Sequence, residues 1–294
     1  MIVQITQVRD ELPLIKMLLP IWSRYADGFV FRCHDTTDGT VEYLRGVAKQ
    51  YNILEILDIK ISKTELNVET KARQHLFDTG YKYSRKIICL DADEYLDGTM
   101  TRNELESHLE QNIDTTFFLQ WVQYTGKNTR RTDGPWRDNY KDRIGEYSTW
   151  KQFDYAQRHS SHLPLHKKCL GFNPDSLFIA HVAWLDKLQA AIKQYYWKVT
   201  DYATKVQYGV ETYSVDDYDK SVNNFKWEET YIDTELKIPT TVFKGFNLAN
   251  SYRLKEIASF VAQYSIPNLG DWGYSIHNNY LYVMALQAEL ERLK

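Results

Sequence analysis

The stretch that decides the fold reads KIICLDADE, Lys86 to Glu94. Four consecutive apolar residues, two of them β-branched, make a short strand buried on both faces, and two aspartates follow it with no intervening loop. The two-residue period of a strand puts Asp91 and Asp93 on the same side as the strand ends. Two hard oxygen donors so placed suit a divalent cation that bridges a diphosphate. A bare D-x-D is common in proteins, and its plain structural alternative is a helix cap or a solvated turn. One that closes a hydrophobic strand of an alternating α/β pattern is far more specific.

That pattern lies on the N-terminal side. Ile2 to Val8 alternates as a strand, Asp10 to Arg24 reads as an amphipathic helix interrupted near Pro20, and Gly28 to Cys33 is a second strand. Thr40 to Tyr51 reads as a helix capped by Asp38 or Thr40, Ile53 to Ile59 as a third strand, and Leu66 to Thr79 as a helix ending at Gly80. Strands alternating with helices in this way predict an α/β chain with a mostly parallel sheet flanked by helices. Ligands of such sheets bind beyond the carboxyl ends of the strands. Here those ends are Val8 to Glu11, Cys33 to Thr40 and Asp91 to Glu94, all rich in acids.

Farther along, FFLQWVQY (117–124) and SLFIAHVAWL (176–185) read as strands, separated by a polar, Trp- and Tyr-rich stretch of poor periodicity. Asp186 to about Lys205 reads as a helix, Tyr208 to Lys220 as a loop, and Ser251 to Tyr264 and Ser275 to Lys294 as helices. The expected organisation is a catalytic domain over 1–207, with a donor-binding half over 1–125 and an acceptor side over 126–207. A mainly helical C-terminal extension follows over 208–294, shaping the acceptor side or an oligomer contact.

Composition narrows the class. With 36 Lys and Arg against 39 Asp and Glu in 294 residues, no general field draws the chain onto nucleic acid or an anionic membrane. The apolar runs are too short to span a bilayer, and the first residues carry no basic leader. Cys33, Cys89 and Cys169 are scattered without a C-x-x-C, which suits a reducing, cytoplasmic setting.

Four motifs in order carry a resemblance: VRDE at 8–11, TTDGT at 36–40, KAR at 71–73 and LDADE at 90–94. Together, over roughly residues 1 to 125, they resemble the GT-A glycosyltransferases, closest to glycosyltransferase family 2. The resemblance implies the GT-A fold, a nucleotide-sugar donor, a Mn²⁺ or Mg²⁺ ion, and inverting transfer of the sugar to an acceptor hydroxyl. Carried over by position, Asp93 would be the principal metal ligand, and Asp91 would share the metal or hold the ribose. Val8, Asp10, Glu11 and Lys71 would line the nucleotide pocket, and Arg73 would approach the base or diphosphate. The chain departs from the family where an acid usually reads the nucleobase: Cys33 and His34 stand there, with Asp35 two positions on. Gln74 replaces the family's Asn after A-R.

His181, inside the apolar run FIAHVAWL, resembles the histidine that completes the metal shell in many GT-A enzymes; its structural alternative is a hydrogen-bonded core imidazole. An inverting reaction also needs a carboxylate to take the acceptor's proton. Asp142, Glu146 and Asp154 are the candidates, together with Asp133 and Asp138, and none lies in a decisive motif. Among the aromatics, Trp121, Tyr124, Tyr140, Trp150 and Tyr155 are candidates for sugar stacking, and Trp136, beside the Gly134-Pro135 turn, is expected to lie near the donor. The run His159, His162, His166 and Cys169 reads as a loop over the donor or, equally, as a plain surface loop, rather than as a zinc site.

The acceptor reads as a saccharide, a lipid carrier, or a hydroxylated nucleobase in DNA. The last would use the cations Lys127, Arg130, Arg131, Arg137, Lys141 and Arg143 to follow a phosphate backbone. The rival function is a non-catalytic nucleotide-sugar or glycan-binding module on the same fold. A nucleotidyltransferase is disfavoured, because VQITQVRDELP holds no glycine for a phosphate loop.

Overall fold

The computed structural model describes residues 1–60, 69–126, 129–132, 139–154, 161–185, 187–209, 227–228 and 251–264. The chain divides into two compact units: Met1–Leu185 with Lys226–Val242, and Asp186–Phe225 with Phe243–Lys294.

The first unit begins with β1 (Ile2–Val8), α1 (Leu12–Trp22), β2 (Gly28–His34), α2 (Thr40–Gly46), β3 (Ile53–Ile59), α3 (Glu69–Tyr81) and β4 (Lys86–Cys89). The four strands are parallel in the order β3-β2-β1-β4. The chain winds outward from β1 and then returns to its other side, so the strand order reverses between β1 and β4. That reversal is where open α/β sheets place their ligands.

After β4 come β5 (Glu94–Asp97), α4 (Arg102–Gln111), β6 (Thr115–Gly126), β7 (Thr129–Arg131), β8 (Tyr140–Glu146), β9 (Lys168–Gly171), β10 (Phe178–His181) and β11 (Trp227–Glu228). β8 is inserted antiparallel between β4 and β6 and joins the parallel half to the rest of the sheet. β10 pairs antiparallel with β5 and parallel with β6. Its register sets His181 opposite Glu94 on one side and Gln123 on the other. The α/β, mostly parallel architecture expected from the sequence is present.

One face of the parallel strands carries Val3, Ile5, Val30, Ile87 and Cys89, packed under Leu76 and Phe77 of α3. Gly80 permits this approach, because a Cβ there would lie 2.5 Å from Ile5 Cγ2. On α1, Trp22 packs on Phe31 of β2 with ring centroids 6.2 Å apart and donates its Nε1–H to the Glu94 carbonyl at 2.7 Å. α4 starts with a capping box between Thr101 and Glu104. Ion pairs from Arg102 to Asp27 and from Lys86 to Glu106 fasten it to the start of the sheet.

Three sequence expectations are corrected. Pro20 does not interrupt α1: it sits in the last turn, where its missing N–H removes one bond, and Ser23 N–H still reaches the Leu19 carbonyl at 3.2 Å. α2 stops at Gly46 rather than Tyr51, and its final residues close as turns from Val47 N–H to Tyr43 and from Ala48 N–H to Arg45. Residues 140–146, within the stretch of poor periodicity, form β8. The expected Ser275–Lys294 helix and most of the Tyr208–Lys220 loop lie outside the described residues. In the second unit, α5 (Lys187–Tyr208) packs Ile192, Tyr195 and Val199 against Leu254 and Ile257 of α6 (Tyr252–Tyr264). Tyr196 Oη donates to Glu256 Oε2 at 2.8 Å across that pair. Among the described residues no helix is long and apolar enough to cross a membrane.

Gly80→Ala should destabilise the protein by about 1–3 kcal/mol in urea unfolding, because the new methyl must displace Ile5. Gly46→Ala, with nothing within 4 Å, should be neutral or stabilising by about 0.5–1 kcal/mol. Equal effects of the two would contradict the packing.

Candidate active site

The acids after β1 and β2 chiefly fasten the backbone. Asp10, at φ 51°, accepts the N–H groups of Thr37 at 2.6 Å and Asp38 at 3.2 Å. Asp38 in turn accepts Leu12 N–H at 2.8 Å and the Thr40 N–H and hydroxyl at 3.0 and 2.6 Å. VRDE and TTDGT are thereby bound to each other, a short-range role that Asp side chains play in turns. Val8 is buried, and its carbonyl accepts the Thr36 hydroxyl at 3.5 Å. Glu11 is buried at the N-cap of α1 without a side-chain cap bond. Asp35 is held at φ 48° by a bond from its N–H to the Ile59 carbonyl at 2.9 Å. Cys33, at the position of the family's base-reading acid, is fully buried, and burial pushes its thiol up to about 12.

The end of β4 is different, because its acids meet buried cations. Arg143, projecting from β8 and 1% exposed, donates from Nη2 to Glu94 Oε1 at 2.6 Å and to Asp91 Oδ2 at 3.3 Å. Glu94 is completely buried. It also accepts the Trp121 Nε1–H on Oε1 at 2.7 Å and the Asp91 N–H on Oε2 at 3.0 Å. The Arg143 charge is maintained against burial by Glu94 and Asp91, which raise its pKa. Arg73 of α3, clamped by Glu69 through Nε at 2.9 Å, is likewise raised against burial by Glu69 and then Asp91. Asp91 thus sits among cationic groups. His162 adds an imidazole, with Nε2 3.3 Å from Asp91 Oδ2.

Asp142, the neighbour of Arg143 on β8, accepts the N–H groups of His162 at 2.7 Å and Leu163 at 3.0 Å. Its Oδ1 lies 3.7 Å from His162 Nδ1. Burial pushes its carboxyl above the ordinary range, against the Arg143 charge and the main-chain donors.

Asp93 turns to the other strand system, where Oδ2 lies 3.2 Å from His181 Nε2 and the Asp93 carbonyl accepts Val182 N–H at 2.9 Å. His181 Nδ1 lies 2.5 Å from Gln123 Oε1. The imidazole thus lies within hydrogen-bond distance of the Gln123 amide on one side and of the Asp93 carboxylate on the other, and a carboxylate with an imidazole is a donor pair that suits Mn²⁺. The donor set ends at two. Among the described residues no three His, Cys, Asp or Glu side chains are grouped to hold a metal ion, and Asp91 is engaged with cations.

Other sequence candidates lie elsewhere. Glu146 pairs in register with Lys86, at the far end of β4 from Asp91. Its carboxyl is raised by burial and by its acidic neighbours Glu110 and Asp114. Asp154 and Lys71 are exposed. Trp136, with Asp133, Asp138, Tyr155 and His159, lies outside the described residues. Trp121 packs on His181 with centroids 4.6 Å apart, and Lys141 Nζ lies 5.0 Å from its ring centroid. The run of cations forms no continuous surface: Arg131 is buried over Trp184 and Arg143 is buried at Asp91. Lys127 and Arg137 lie outside the described residues. The sequence reading gave Arg143 to a phosphate backbone rather than to Glu94 and Asp91, and it missed Gln123 and the contacts of Glu94.

No protein-family model and no curated protein matches the chain. Among solved structures it is similar to S. aureus TarS residues 1–349 in complex with UDP, at 11% identity and a TM-score of 0.43, over 76% of this chain and 70% of that one. A longer TarS structure gives 10% identity and 0.45, over 91% of this chain and 50% of that one. The mannosyltransferase PcManGT from Pyrobaculum calidifontis, in complex with GDP-Man and Mn2+, gives 13% and 0.40, over 98% and 79%.

Arg143→Met should cost about 3–5 kcal/mol, because it strands the buried Glu94 carboxylate. The double variant Glu94→Gln/Arg143→Met should cost clearly less than the two single changes combined, as expected for contacting residues. Strict additivity in chemical denaturation would show that the two do not share their charge.

Proposed function

We propose that the protein is a metal-dependent glycosyltransferase that moves a sugar from a nucleotide-sugar donor to an acceptor hydroxyl with inversion. The observation that supports it most strongly is the Asp93–His181 pair, held at 3.2 Å just beyond the carboxyl end of β4, with the Asp91–Arg143 pair two residues earlier on the same turn.

In this reading Asp93 and His181 hold a Mn²⁺ or Mg²⁺ ion. Two protein ligands suffice for such ions, whose other positions go to substrate phosphates and water. The bound ion supplies charge stabilisation to the departing nucleoside diphosphate. Arg73, with its guanidinium held by Glu69, adds fixed positive charge on the same side. Arg143 keeps Asp91 turned toward the site from behind. Val8, Asp10 and Glu11 shape the floor of the nucleotide pocket through the turn they build. Asp142 is assigned the acceptor's proton, since of the carboxylate candidates among the described residues it alone is joined to Asp91, through His162. His162, fixed by its main-chain bond to Asp142, closes that cluster from the other side. A saccharide or lipid carrier is favoured as acceptor over duplex DNA, because Arg131 and Arg143 are buried.

The experiment is a panel of nucleotide sugars with Mn²⁺, scored by thermal shift and by slow donor hydrolysis. Asp93→Ala should leave the fold intact, abolish Mn²⁺-dependent donor stabilisation and lower turnover about 10³-fold or more. Full activity of this variant, or of the wild type in excess EDTA, would sink the metal role. Asp142→Asn should lower turnover about 10²–10⁴-fold while donor binding persists. Donor-dependent stabilisation without release of nucleotide under any acceptor would identify a binding module instead.

A further inference from the structure

Buried charges in folded proteins are paired, and on β2 a cationic side chain has no such pair among the described residues. Arg32, near the end of β2, is 6% exposed, and its Nε and Nη1 are buried with no hydrogen-bond partner among the described residues. It has no ion pair with a described residue, and the carboxylate whose charge reaches it is Asp35. Two residues on, His34 is 9% exposed, with Nδ1 buried and unpartnered.

Strand alternation sets both side chains on the face that carries Ile5 and Val30, one step beyond the part covered by Leu76 and Phe77 of α3. In register, Arg32 lies between Gln7 of β1 and Leu57 of β3. Arg9, of the same parity as Gln7, follows β1 on that face. Burial, and then the charges of Arg32 and Arg9, push the His34 imidazole down to about 3, so it is neutral at ordinary pH. The result is positive potential at the carboxyl ends of β1 and β2, where Arg32 Nε and Nη1 have no acceptor among the described residues. An uncompensated buried guanidinium costs several kcal/mol, and an anion that supplied the missing charge would recover it.

We propose that Arg32 and His34 form an anion-binding site at the carboxyl ends of β1 and β2, which takes a phosphoryl or carboxylate group. The site adjoins the turn that Val8, Asp10 and Glu11 build, lies across β1 from β4, and uses none of the residues assigned to the metal or to Asp91.

The test is thermal unfolding in EDTA, so that nothing binds through a divalent ion, with inorganic phosphate, pyrophosphate or citrate against chloride at matched ionic strength. The wild type should gain about 4 °C or more in Tm with phosphate or pyrophosphate, or with citrate if the natural group is a carboxylate. Arg32→Met should lose that shift and, without ligand, melt at or above the wild-type temperature, since it removes an unpaired buried charge. Arg32→Lys, which keeps the charge and loses the planar fork, should weaken binding of the effective anion about tenfold. His34→Gln should also weaken it. No anion-specific shift in the wild type would overturn the proposal. So would a shift that survives in Arg32→Met and Arg32→Lys, or an Arg32→Met protein that melts well below the wild type.

Discussion

The candidate site depends on one buried guanidinium. Arg143 is 1% exposed and lies against Glu94 and Asp91, so neither acid at the end of β4 stands uncompensated. The consequences pass outward through hydrogen bonds. Glu94 accepts the Asp91 N–H and fixes the backbone of the D-x-D turn, and it accepts the Trp121 Nε1–H and orients that indole. Trp121 backs His181, and His181 meets Asp93. A charge contributed by β8 thereby sets the position of groups on β4, β6 and β10. This explains why an antiparallel strand is inserted beside β4: it brings a cation to the one strand end with three acids in four residues. Burying such a network is costly, and Arg143 Nε and Nη1 find no hydrogen-bond partner among the described residues, which makes it a device for specifying geometry more than for adding stability.

The parallel half of the fold was legible because its strands are apolar runs bounded by turn residues and its helices keep their period. The D-x-D motif was legible for the same reason, since the strand before it is unmistakable. β8 was not, because YKDRIGE carries polar residues on both faces, and the partners that satisfy them, Glu94, Asp91 and the main chain of His162 and Leu163, are distant in sequence. The contacts of the site were legible only in part: Asp93 lies 3.2 Å from His181, whereas Asp91 is claimed by Arg143 and His162, a competition no local pattern discloses.

Acids of similar appearance in the sequence divide by what they contact. Asp10 and Asp38 accept main-chain N–H groups and hold two loops together, while Asp91, Asp93 and Glu94 face cations or imidazole. β2 shows the converse at its end, with a buried cation in place of an acid and no carboxylate among the described residues bonded to it. The two ends of the ligand-binding edge therefore differ in sign, negative at β4 where a metal would sit and positive at β2.

The most direct measurement is an NMR titration of the eight histidines with Mn²⁺ in the presence of a nucleoside diphosphate. Paramagnetic broadening should strike the His181 imidazole first and spare His108 on α4. It should disappear at His181 in Asp93→Ala. Broadening that leaves His181 sharp, or that persists there in the variant, would contradict the placement of the metal at the end of β4.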